Sequence, residues 1–138
     1  SLDVSYNGGD FDVIDELPYT TVAFMYIAAS AGGWCSRAPG TTGLLFDYTP
    51  APTALVTIVG ADHMDFMDRP IGANNLGFIA CPQGPTDDQL VRDLATKYMV
   101  AWFNVQLKGE AEFAEYYNGS FAAADEAAGL ATFRCRLE

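Results

Sequence analysis

Ala54-Leu55-Val56-Thr57-Ile58-Val59-Gly60-Ala61-Asp62-His63-Met64-Asp65-Phe66-Met67-Asp68 is the stretch that decides how this chain is read. Leu55, Val56, Ile58 and Val59 form an aliphatic, β-branched run without polar alternation, the pattern of a strand buried on both faces. Gly60 permits a sharp exit from it. His63, the single histidine of the chain, then falls on the loop past the strand's C-terminal end. Open α/β sheets gather ligands and catalytic groups at that edge. On residue type alone a lone imidazole is as readily a surface or satisfied core group as a chemical one. Asp62, Asp65 and Asp68 read as ordinary loop residues. Their spacing is not that of an EF-hand, so no metal is expected.

Outward from this stretch, residues 20–28 (TTVAFMYIA) read as a second buried strand. Residues 30–43 read as a loop punctuated by Gly32-Gly33, Pro39-Gly40 and Gly43. Leu44 to Tyr48 reads as a short helix that Pro50 and Pro52 end. Downstream, residues 69–85 are irregular and long enough for a functional flap. Thr86-Asp87-Asp88-Gln89 has the form of a capping box, with Thr86 as the N-cap. Val91, Leu94, Tyr98, Trp102 and Val105 then repeat at three and four residues, one apolar stripe of a helix that Lys108-Gly109 closes. Glu110 to Tyr117 and Phe121 to Ala131 read as further helices. Thr132 to Arg136 reads as a final strand or a tail.

The 138 residues suffice for one domain, and half of them are hydrophobic, so a packed core is expected rather than disorder. Eighteen acidic residues against 7 basic ones give a formal net charge of -11. Nucleic-acid binding needs the opposite sign, and an anionic membrane surface is disfavoured for the same reason. No apolar run is long enough for a spanning helix. The start, without Met or a leader pattern, reads as a processed chain or a piece of a longer one. Cys35, Cys81 and Cys135 are too far apart for a zinc knuckle or redox pair. Their odd number leaves a free thiol beside one disulfide, or a bond to another chain. With the acidic surface, this leans toward export. Two strands, both of central type, also make a poor sheet, so the chain reads as the end of a larger α/β domain.

Ile27-Ala28-Ala29-Ser30-Ala31-Gly32-Gly33, then Cys35, Ala38-Pro39-Gly40, Leu45-Phe46 and Gly60-Ala61-Asp62-His63-Met64-Asp65-Phe66-Met67-Asp68, resemble the C-terminal half of an α/β-hydrolase. The nearest branch is the chlorophyllase, dienelactone hydrolase-like and polyester hydrolase group. The helix from Lys97 to Gly109 and the Tyr-rich segment after it resemble that group's last helix. The resemblance spans Thr20 to Tyr117, and the histidine loop is its most specific part. It implies an α/β fold of parallel strands with flanking helices, in which residues 1–138 are the C-terminal portion of one domain completed by another chain or segment.

The implied activity is serine-dependent carboxylic ester hydrolysis, in which the triad order is Ser, Asp, His. His63 takes the histidine's place, as general base and then general acid. Ser1-Leu2-Asp3-Val4 takes the place of the acid's Leu-Asp-Pro-like turn, which makes Asp3 the candidate acid. Val4 stands where the family has Pro. Asp10, Asp12 and Asp15 are weaker candidates. No G-x-S-x-G is present. Ala28-Ala29-Ser30-Ala31-Gly32-Gly33 is the nearest string, but Trp34, Pro39 and Gly40 prevent the helix that should follow an elbow. The nucleophile therefore belongs to an N-terminal hydrolase segment or chain acting as partner. Trp34 and Met64 are the candidate substrate contacts, for a small-molecule or lipid-like ester. The mechanism needs no cofactor. The alternatives are a non-catalytic hydrolase-like assembly or binding module, and an unrelated acidic α/β binding domain.

Overall fold

The computed structural model describes residues 13–31, 39–67, 81 and 84–138. Helix α1 (Val13–Glu16) passes into a 3-10 turn, Leu17–Tyr19, which Thr20 closes through its N–H and hydroxyl on the Leu17 carbonyl. Strand β1 (Phe24–Ala29), helix α2 (Pro39–Tyr48) and strand β2 (Thr53–Ile58) follow. Helix α3 (Asp88–Phe103) continues as a π-helix over Asn104–Lys108. Helices α4 (Glu115–Asn118) and α5 (Ser120–Ala127) lead to strand β3 (Ala131–Arg136). The fold is mixed α/β around a three-stranded sheet of order β1-β2-β3.

β1 and β2 run parallel, Ile27 opposite Val56, and β3 joins the other side of β2 antiparallel, Phe133 opposite Val56. β2 is therefore the central strand, and its burial on both faces matches its unbroken apolar run. On one face Ile27, Ala29, Val56 and Ile58 pack against Val91, Leu94 and Tyr98 of α3. On the other, Tyr26, Ala28 and Leu55 pack against Leu17, Leu45 and Phe46. A third cluster joins Ala54 to Ala101, Trp102 and Tyr117, closing the α4 end against α3.

Three expectations are corrected. β1 starts at Phe24 rather than Thr20, because Thr20 is spent on the preceding turn and Thr21 and Val22 are exposed. Among the described residues β1 pairs with β2 alone. Pro39 and Gly40 are helical, since proline in a first turn forfeits no intrahelical hydrogen bond. The cap of α3 is Asp87, whose carboxylate accepts from the N–H groups of Gln89 and Leu90, while the Thr86 hydroxyl donates to the Val59 carbonyl at 2.8 Å. The Gln89 side chain likewise turns away, to Asp93 and Arg92.

The predicted stripe of α3 is buried at Val91, Leu94, Tyr98 and Trp102. Gly109, in the left-handed region at φ 75°, ends the helical run where the sequence places the stop. Gly129, at φ 69°, turns α5 into β3. Asp125 ties this hairpin to α3, accepting from Lys97 Nζ at 2.5 Å and from the Tyr98 hydroxyl at 3.0 Å. Cys81 is disulfide-bonded. Cys135 is a free thiol that donates to the Tyr117 carbonyl, and burial pushes its pKa up to about 11.

Candidate functional site

His63 opens a 3-10 turn, His63–Phe66, that begins five residues beyond Ile58, the last paired residue of β2 in the parallel ladder. The ends of β1 and β2 stay joined past the sheet. Ser30 N–H donates to the Ile58 carbonyl, Ala31 N–H to the Ala61 carbonyl, and Gly60 N–H to Ser30 Oγ at 2.7 Å. The Ser30 hydroxyl thus braces the strand exit. Gly60 itself sits at φ 73°, in the left-handed region that the sharp exit demands.

The turn owes its shape to two aspartates. Asp62 is the N-cap, its side chain accepting from Met64 N–H, and Asp65 Oδ2 accepts from Asp62 N–H at 2.7 Å, which completes a reciprocal capping box. Both carboxylates are buried, Asp62 at 2% and Asp65 at 1% exposure. Asp65 also accepts from Gly84 N–H, on the segment that leads into α3. Burial raises its pKa above the usual carboxylate value, and the N–H donated by Asp62 partly offsets this. Reading these aspartates as ordinary loop residues is therefore corrected. The signal was present as an Asp-x-x-Asp spacing that brackets His63.

His63 is partly exposed and Met64 is buried. Asp3 and Trp34 lie outside the described residues, as do Asp10 and Asp12, while Asp15 is exposed on α1. His63 and Met64 are thus the two candidates that the described structure brings together, as neighbours on one turn. Among the described residues, no cluster of three or more histidine, cysteine or carboxylate side chains could hold a metal ion. No helix among them is long and apolar enough to cross a membrane.

Apolar recesses lie elsewhere. One of about 210 Å³ runs between β1 and α3, lined by Ala23, Phe24, Met25, Met99, Trp102 and Phe103. A second, about 420 Å³, continues from it past Val22, Pro52 and Leu107. A third, about 410 Å³, opens between α3 and the segment after it, with Lys97, Val100, Phe113 and Tyr116 in its wall. None of the three is lined by the histidine turn. The chain matches no protein-family model and no curated protein.

Proposed function

We propose that this chain is the C-terminal part of an α/β-hydrolase that cleaves carboxylic esters. It supplies the triad histidine and acid, and a preceding segment or second chain supplies the serine. The observation that carries this reading is the placement of His63, on a capped turn just past the C-terminal end of the central, parallel-paired strand. His63 takes the proton of the serine hydroxyl and returns it to the leaving alcohol. Asp3 orients the imidazole and stabilises its cation. Trp34 and Met64 are the residues proposed to contact the acyl or alkyl part of a small-molecule or lipid-like ester. A triad needs no cofactor.

The edge of the sheet supports the same reading. β1 is apolar on both faces and pairs with β2 alone among the described residues, as a strand does when the sheet continues. Ester hydrolysis by the complete protein, in His63→Ala against wild type, tests the proposal. The expected loss is about 10⁴-fold or more in kcat, with labelling of the serine by a fluorophosphonate also lost. Full activity in folded His63→Ala protein overturns it. A partner that co-purifies but carries no reactive serine would favour the assembly-module reading instead.

A further inference from the structure

The histidine turn is fastened to a second element as well as to its own strand. Thr86 N–H donates to the Gly60 carbonyl at 3.3 Å and the Thr86 hydroxyl to the Val59 carbonyl at 2.8 Å. A Cβ on Gly84 would collide with Gly60 O, Asp65 Oδ2 and Asp62 N, so residues 84–86 lie against the turn with no room for a side chain. At the turn's far end, Arg92 Nη1 of α3 donates to the Met67 carbonyl at 3.1 Å. Asp65 sits between these tethers, accepting from Asp62 on one side and Gly84 on the other. The negative groups facing it are Asp62 on its own turn and Asp88 at the start of α3. A carboxylate at 1% exposure beside two others is expensive to bury unless its hydrogen bonds are specific. A turn that needed only packing could be filled by an apolar side chain.

We infer that Asp65 is the positioning residue of His63, clamping the start of the turn to the segment that leads into α3, whose Thr86 is in turn bonded to the exit of β2, so that the imidazole is held at one place on the sheet edge. The role in catalysis rests on the hydrolase reading, whereas the clamp on the imidazole does not. Asp65→Asn keeps the side chain's shape but replaces the carboxylate that meets the Asp62 and Gly84 N–H groups with a neutral, weaker acceptor. Thr86→Val releases the same strap more gently, at the Val59 carbonyl.

Because the chain has a single histidine, its imidazole resonances are unambiguous in the labelled full protein. In Asp65→Asn we expect them to shift and broaden while the methyl resonances of Val56 and Ile58 keep their positions. Thr86→Val should move them in the same direction, by less. In ester hydrolysis, Asp65→Asn should lower kcat roughly 10- to 100-fold with KM nearly unchanged, as a misplaced catalytic group does. Unchanged imidazole resonances in folded Asp65→Asn overturn the inference. If that variant does not fold, unchanged resonances in Thr86→Val overturn it. Moved resonances with an unchanged kcat overturn its catalytic part. If the wild-type protein cleaves no ester, the hydrolase reading fails, and the resonances still decide whether Asp65 holds His63.

Discussion

The two outer strands of the described sheet are built on opposite principles. β3 carries Arg134 and Arg136, and both are occupied. Arg134 pairs with Asp47 and lies over the Phe46 ring at 4.5 Å, and Arg136 donates to the Thr49 carbonyl at 2.6 Å. Such cations protect an edge from further pairing. β1 carries no charge. Its ladder is read from Phe24 N–H on Pro52 O and Ser30 N–H on Ile58 O, so the even residues turn to β2. Met25, Ile27 and Ala29 turn their backbone groups outward. Beside that edge Phe103 and Leu107 of the α3 run stand 54% and 77% exposed. One outer strand is charged and the other is apolar on both faces, and on the proposed hydrolase reading the rest of the domain lies beside β1.

Met25→Pro bears on this difference most heavily. It deletes one outward N–H and leaves the β1–β2 ladder intact, a change that an edge strand tolerates. In the complete protein we expect it to abolish ester hydrolysis while the circular dichroism of residues 13–138, measured separately, persists. Unimpaired hydrolysis would mean that β1 is a true edge. A smaller effect lies on the β3 side. Cys135 has its thiol pKa raised by burial to about 11 from 9.0, so iodoacetamide at neutral pH should alkylate it about 100-fold more slowly in the native protein than in urea. The same shift means native protein holds this proton more tightly than unfolded chain, so stability should fall as pH rises from 9.0 through about 11. Equal alkylation rates in the two states would show that this side is also open. The smallest effect is that of Arg134→Ala. Its half-exposed pair with Asp47 should contribute less than about 1 kcal/mol in urea denaturation, yet removing the cation should increase self-association by light scattering.

The difference between local and distant information also explains what could be read from the chain. β2 and α3 were legible because their periods, continuous apolar and 3.6-residue, are local. The C-terminal strand stayed ambiguous, because residues 131–136 alternate only weakly and earn their conformation from pairing with a strand far earlier in the sequence. The Thr86 box misled because a hydroxyl three residues before Gln89 has the right spacing, while the Val59 carbonyl that captures it is invisible to spacing. In the candidate site, the position of His63 followed from strand and glycine. The burial of Asp62 and Asp65 did not, since aspartate is a loop residue by type and becomes a core residue here only through backbone N–H groups that folding brings to it.

The late return of β3 has a consequence for how the molecule assembles. β2 is central only once β3 has come back, and β3 follows α3, α4 and α5 in the chain. Until then β2, with the uncharged sequence Thr53-Ala-Leu-Val-Thr-Ile58, presents an open ladder of its own. Non-local pairing is slow, and exposed apolar strands are where nascent chains aggregate. The strand that leads to the histidine turn is thus also a segment that a chaperone would shield during synthesis.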